Sequence, residues 1–196
     1  MKRTFDIICA TIGLIILAPF FIVISILIYI CSTEPFIFRQ ERIGLNGKTF
    51  KLNKFRTMTI KKGAENGHFD IGDVSRITFL GKFLRKTKFD ELPQLFNVLV
   101  GDMSLVGPRP EVKKWTKVYP DKWKIVLTVK PGITDNASIH FRNEEEILAT
   151  SSYPEETYKN EVLPVKLDYY IDYVNNQSFW GDIKIIFKTL KHIILK

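Results

Sequence analysis

The run KTKFDELPQL (86–95) sets two carboxylates side by side, Asp90 and Glu91, directly after Lys82, Arg85, Lys86 and Lys88. Adjacent acids in such a field are either a helix cap or a reaction centre. Leu92, Leu95, Phe96 and Leu99 recur at i, i+3, i+4 and i+7, which predicts a short amphipathic helix closed by Gly101. That places Asp90 at the N-cap and Pro93 in the first turn, where a missing N–H costs little. Asp90 capping and Glu91 complementing the helix dipole would together contribute about 0.5 to 2 kcal/mol. The same positive helix end, with four cations beside it, is expected to keep Asp90 ionised and to attract phosphate.

A few residues on, GDMSLVGPRP (101–110) ends in Gly107-Pro108-Arg109-Pro110. Two prolines fix φ on either side of Arg109, so its guanidinium is presented from a stiff backbone with less entropy to lose on binding. A planar fork of this kind matches phosphate oxygens. A rigid turn with an exposed arginine is the plainer account of the same residues.

Positioning these groups falls to an unusual N-terminus. From Ile7 to Cys31, 25 residues carry no charge, and as a straight helix they would span about 37 Å, more than a bilayer core of about 30 Å. The stretch is too long for a signal-peptide h-region and is expected to be retained. Lys2 and Arg3 precede it, and Arg39, Arg42, Lys48, Lys51, Lys54 and Arg56 follow it. Positive charge on both flanks pulls both ends to the cytoplasm. Pro19 removes one helical hydrogen bond and crowds the carbonyl of Ile15, which predicts a kink at Ala18-Pro19. Two topologies are compatible with these residues: a single span, and a helix that enters and leaves on one face. The division expected is a membrane segment over 1–35 and a catalytic domain over 36–196.

Elsewhere, β-branched and aromatic residues flank GLNGK (44–48), which predicts a hairpin turning at Asn46-Gly47. Residues 61–75 are Gly-rich and polar and read as a surface loop. Val112, Trp115, Val118 and Tyr119 lie at helical spacing among lysines. In the C-terminal segment Trp180, Ile183, Phe187, Leu190 and Ile194 make one stripe, with Lys184, Lys188 and Lys191 on another face. Both segments suit the lipid headgroup region, and both are equally compatible with ordinary packing helices. A net charge of +8 favours an anionic partner. Cys9 and Cys31 form no disulfide framework and fit a reducing compartment, and the dispersed His68, His140 and His192 carry no zinc motif.

Together, the membrane segment with its central proline, KFRTM (54–58), the long block RITFLGKFLRKTKFDELPQLFNVLVGDMSLVGPRP (76–110), KPGIT (130–134) and SFWGDIKIIFKTL (178–190) resemble the small monotopic phosphoglycosyl transferases of the bacterial sugar transferase family. The resemblance covers nearly the whole chain. It implies an α+β, mostly helical fold in which a re-entrant membrane helix, a short β-hairpin and amphipathic interfacial helices surround a compact catalytic core. It also implies the short form, without the N-terminal membrane bundle of longer relatives. The activity implied is transfer of a sugar 1-phosphate from a UDP-sugar to polyprenyl phosphate at the cytoplasmic face of the bacterial inner membrane, with Mg²⁺ as cofactor. Anionic membrane lipids are expected partners and nucleic acid is not.

By that resemblance Asp90 is the nucleophile, Glu91 a metal ligand or proton handler alongside it, Arg85 and Arg109 phosphate ligands, and Arg142 a ligand for the nucleotide end. Two departures stand out. Alanine at position 18 replaces the family's usual serine, and ITDNASIHFRNEEEI (133–147) replaces a form with Gly, Trp and Gln-Val-Asn-Gly before the arginine. The latter bears on sugar and nucleotide contacts more than on the reaction. Two rival readings stay open on the residues: a basic, membrane-anchored module that binds anionic lipid or nucleic acid without chemistry, and direct transfer in a ternary complex with Asp90 holding metal only.

Overall fold

The computed structural model describes residues 1–32, 35–59 and 75–194. The expected surface loop at 61–75 falls, except for its last residue, outside the described residues. The chain opens with helix α1, Lys2–Ser32, which carries Pro19 within it and is long and apolar enough to cross a membrane. One side of α1 packs inward along its length. Ala10 is buried with Leu52, Val98 and Met103, Phe20 meets Phe89 edge-on at 5.0 Å, and Ile24 and Ile28 are buried with Phe55 and Leu84. The other side, including Ile8, Ile12, Ile15, Ile16, Ile22 and Ile26, is exposed.

Polar contacts tie down the first turns of α1. Arg3 donates to the carbonyls of Val98 and Leu99 at 2.6 and 3.0 Å, and buried Asp6 accepts from Ser104 Oγ at 2.8 Å. Lys2 donates to the Val106 carbonyl at 3.1 Å and forms an ion pair with Asp182.

Strands β1 (Ile37–Ile43) and β2 (Thr49–Phe55) form the antiparallel hairpin, paired from Ile37↔Phe55 to Ile43↔Thr49. Its turn has left-handed φ at Asn46 (55°) and Gly47 (73°), the conformation these two residue types adopt at least cost. Helix α2 (Phe79–Thr87) is capped by Thr78, whose Oγ1 accepts from Gly81 N at 2.9 Å. Helix α3 (Gln94–Val100) ends at Gly101 with φ 101°, as the apolar spacing predicts.

The apolar stripe of α3 is half-buried, with Leu95 and Leu99 packed against the cluster of Ala10, Leu52, Val98 and Met103, but its most buried residues include two polar ones. Gln94, Asn97 and Val98 point inward, while Leu95 packs against Gly13 of α1 and Phe96 is exposed. Asn97 is buried because its side chain accepts from Asn53 N at 3.0 Å and donates to the Lys51 carbonyl at 2.8 Å. It thereby satisfies backbone groups of β2 that burial would otherwise leave unpaired.

Strands β3 (Ser104–Val106) and β4 (Gly132–Thr134) pair in parallel, with α4 (Lys113–Thr116) and α5 (Pro120–Val126) between them in sequence. Then come α6 (Asn136–His140), α7 (Glu144–Thr150), α8 (Pro154–Thr157), one π-helical turn at Tyr158–Val162, α9 (Leu163–Asn175) and α10 (Phe179–Ile194). The largest core packs Trp115, Trp123, Val126, Leu163, Leu167 and Tyr170.

The two candidate interfacial segments thus separate. Trp115 stacks on Tyr158 at 4.8 Å inside that core, so α4 is a packing helix. Helix α10 instead turns Asp182 and Ile185 inward and leaves Trp180 73% and Phe187 67% exposed, with Leu190 beside them. Placing two such aromatic side chains in an apolar medium stabilises by about 1.5 to 3 kcal/mol each. The side chain of Ile194, the last member of that stripe, lies outside the described residues.

Candidate active site

Between α2 and α3 the backbone turns sharply. Lys88 takes left-handed φ (60°), a conformation that costs a non-glycine residue on the order of 1 kcal/mol, and a single 3₁₀ turn, Phe89–Glu91, follows. This turn drives both acids inward, leaving Asp90 7% and Glu91 8% exposed. The expectation that Asp90 caps the next helix is overturned. Pro93 occupies the N-cap of α3 with no side-chain cap, and the N-cap of the 3₁₀ turn is Lys88. Among the described residues, Asp90 Oδ1 is buried without a hydrogen-bond partner.

Glu91 is the opposite case. Arg109 Nη1 donates to Oε2 at 3.1 Å and Nη2 to Oε1, forming a two-pronged bridge, and Lys54 Nζ donates to Oε1 at 3.1 Å. The neighbouring acids therefore differ in proton affinity. Burial pushes the Asp90 carboxyl above its ordinary range, with Lys54 opposing the shift and Glu91 adding to it. Burial acts on Glu91 too, but Arg109 and Lys54 outweigh it and hold the carboxyl well below the usual range. Burial also lowers Lys54, against the pull of Glu91. Next to a neutralised pair stands a carboxylate that is hard to keep ionised and has an oxygen to spare, so Asp90 is the more basic of the two.

The Arg109 fork, expected to be presented to phosphate, is turned onto Glu91, and its turn is braced from β4. Gly132 N donates to the Pro108 carbonyl at 2.9 Å and Gly107 N to the Thr134 carbonyl at 3.1 Å. The strands cross so closely that a Cβ on Gly132 would stand 2.1 Å from Gly107 N, the physical reason for a glycine in KPGIT. Beyond Pro110, buried Glu111 accepts from Arg42 at 3.3 Å and from Tyr158 at 2.5 Å, with Lys166 at 3.7 Å.

Of the residues picked out in the sequence, Asp90, Glu91 and Arg109 come together. Arg85 lies close enough to favour the Asp90 anion, while its own bonds go to Thr57 Oγ1 at 2.9 Å and Glu145 at 3.2 Å. Arg142 donates to the His192 carbonyl and touches none of the others. Lys54 is the residue that sequence reasoning missed as part of the site. It opens KFRTM, and that motif is the signal that could have found it. Thr57 of the same motif orients Arg85.

Among the described residues no group of three or more metal-binding side chains occurs. Mg²⁺ rarely needs one, since it commonly takes one or two carboxylates with substrate phosphate oxygens and water. The partnerless Asp90 Oδ1 suits such an ion, whereas both Glu91 oxygens are already engaged.

A buried carboxylate with a free oxygen is thus set against a lysine and a proline-flanked arginine fork, in a chain whose first helix is long and apolar enough to cross a membrane. The chain belongs to the bacterial sugar transferase family, whose profile matches residues 1–196. It is 38% identical over 193 residues to UDP-glucose:undecaprenyl-phosphate glucose-1-phosphate transferase of Klebsiella pneumoniae, covering 96% of this chain and 39% of that protein. It is 38% identical over 213 residues to undecaprenyl-phosphate galactose phosphotransferase of Salmonella typhimurium, covering 99% and 40%. It is also 35% identical over 195 residues to the uncharacterized sugar transferase EpsL of Bacillus subtilis, covering 100% and 88%. The chain thus spans about two-fifths of the length of the first two relatives.

Proposed function

We propose that this chain transfers a sugar 1-phosphate from a UDP-sugar to polyprenyl (undecaprenyl) phosphate through a covalent intermediate on Asp90, the first membrane-committed step of glycan assembly. The observation that carries the proposal is the asymmetry of the acidic pair, with Asp90 Oδ1 partnerless and Glu91 clamped by Arg109 and Lys54. An Asp90 oxygen attacks the β-phosphorus of the donor, the bond from that phosphorus to the bridging oxygen breaks, and UMP departs. A phosphate oxygen of the polyprenyl acceptor then attacks the same phosphorus, freeing the Asp90 carboxylate and leaving a polyprenyl diphosphate sugar. Dividing the transfer in this way replaces one difficult encounter of two anions with two easier ones.

Glu91 is a positioning residue that orients the Arg109 fork, not a general base, because a carboxyl held well below its usual range has little affinity for a proton. Arg109 and Lys54 receive the charge of the reacting phosphate, with Arg85 on its flank. Mg²⁺ held by the Asp90 carboxylate together with donor phosphate oxygens would neutralise further phosphate charge.

Incubation with a panel of UDP-sugars and undecaprenyl phosphate should release UMP with one donor preferred. No UMP from any donor would favour a basic membrane module without chemistry. The intact mass after donor alone should rise by one phosphosugar, and an unchanged mass under trapping conditions would favour direct transfer. Since Lys54 opposes the upward shift of Asp90, the Lys54→Met variant should move the acid limb of the pH–rate profile to higher pH. An unmoved limb would separate Lys54 from Asp90.

What the two halves of α1 touch supports a monotopic, re-entrant placement. Lys2, Arg3 and Asp6 bond to residues between Val98 and Val106 and to Asp182, while Ile24 and Ile28 pack on Phe55 and Leu84 of the same domain. A helix crossing the bilayer could not dock both ends on one domain at one face. In cells expressing the chain with Cys9 and Cys31 replaced by serine, single cysteines placed ahead of Met1 and at Phe36 should label from the cytoplasmic side only. Labelling from opposite sides would exclude this placement.

A further inference from the structure

We propose that the cleft between α6, α9 and α10 binds the phosphate-bearing headgroup of an anionic membrane lipid. The cleft is an open depression of about 770 Å³ whose polar lining is Asn136, His140, Tyr169, Lys188, Lys191 and His192. Its size falls within the range of small-molecule sites, roughly 300 to 1,000 Å³. No carboxylate lines it. No lining side chain has a hydrogen-bond or ion-pair partner among the described residues. The His140 ring lies over Tyr169 at 5.3 Å and 40°, giving the cleft an aromatic wall. Arg142 closes one rim by donating to the His192 carbonyl. Two ammonium groups and an amide, all without partners, face space that an anion can enter.

The choice of a lipid headgroup over a free anion comes from α10. Lys184, Lys188 and Lys191 recur at i, i+4 and i+7 beside the exposed stripe of Trp180, Phe187 and Leu190. When that stripe enters the membrane interface, the adjacent lysines stand at the depth of the lipid phosphates. Their attraction to anionic lipid is then local and additive, and a basic pocket at that depth selects a headgroup. His140 and Asn136 lie within the segment that departs from the usual family form, while Lys188 lies in the shared C-terminal motif. The inference rests on the membrane placement of α10 and uses neither the acidic pair nor Lys54, Arg85 or Arg109.

The test uses the full chain in nanodiscs of equimolar phosphatidylglycerol and phosphatidylcholine, released into mild detergent for native mass spectrometry of retained lipid. Two lysines at the surface correspond to a preference for phosphatidylglycerol of at least about tenfold in the wild type. The triple variant His140→Ala/Lys188→Ala/Lys191→Ala should retain the two lipids about equally at an unchanged unfolding temperature, while Lys113→Ala/Lys117→Ala keeps the wild-type preference. Equal retention by the wild type would overturn the site, and so would a preference that survives the triple substitution. Displacement of retained phosphatidylglycerol by millimolar UMP or inorganic phosphate would make the cleft a free-anion site and overturn the headgroup assignment. A chain that fails to enter nanodiscs would instead refute the membrane placement, a separate outcome.

Discussion

Asp90→Asn is expected to lower UMP release by at least about 10³-fold while raising the unfolding temperature or leaving it unchanged, a combination few substitutions produce. The loss of rate follows from the chemistry, because an amide oxygen at this position can neither form the acyl phosphate nor carry the negative charge. The gain in stability follows from burial. Burial raises the folded-state pKa of Asp90 above its unfolded value of 3.8, so at neutral pH its ionised form disfavours the folded state, and that cost declines as pH falls through the folded-state value and is gone below about 3.8. Asparagine removes the charge at constant shape. The measurements are initial rates with the preferred donor and a thermal melt at neutral pH. A variant that turns over within tenfold of wild type would dismiss Asp90 as the nucleophile. A melt lowered by several degrees would mean that Oδ1 supports the fold.

One residue along, Glu91→Gln should behave in the opposite sense. Its carboxylate is the common partner of Arg109 and Lys54, and removing one member of a buried charge cluster costs about 3 to 5 kcal/mol because the others are left uncompensated. For a chain of this size about 3 kcal/mol corresponds to roughly 6 to 12 °C in unfolding temperature. The sign with pH is definite. Glu91 has a depressed folded-state value, so its contribution is present above the unfolded-state value of 4.5 and is lost as pH falls toward the folded-state one. Wild type and variant should therefore differ most near neutrality and converge in acid. Activity should fall about 10²-fold or more as the Arg109 fork loses its orientation. Arg109→Lys should reproduce much of this loss, since an ammonium supplies charge without the two-pronged geometry. Equal stability of wild type and Glu91→Gln across the pH range would show that the cluster contributes nothing to the fold.

Adjacent residues of like charge thus acquire opposite roles, and local sequence could not have assigned them. The spacing around DELPQL predicts a helix ending at Gly101, and that helix is there. It also places Asp90 at the cap, which fails because Lys88 turns left-handed and inserts a 3₁₀ turn ahead of Pro93. Glu91 is decided by Lys54, 37 positions earlier, and Arg109, 18 later. Neither distance leaves a periodic trace. Likewise Trp115 and Trp180 read alike, as aromatics on short basic helices. One is buried against Tyr158 and the other stands exposed.

By itself the sequence determined what depends on neighbours along the chain. That comprises the charge-free helix with its proline, the hairpin turn at Asn46-Gly47, the stop at Gly101, the stiff Pro-Arg-Pro turn and the motif set that marks the family. Tertiary structure alone decided which groups meet. It brought Lys54 and Arg109 to one carboxylate and left an oxygen of the other free, buried Gln94 and Asn97 of α3, and packed both halves of α1 on the rest of the chain. The reason is physical. Backbone propensity and side-chain period are set within a few residues, so they identify which face of an element is apolar. Whether that face meets core or lipid, and whether a charge is neutralised or left bare, depends on groups delivered from distant parts of the chain and on the burial they create together.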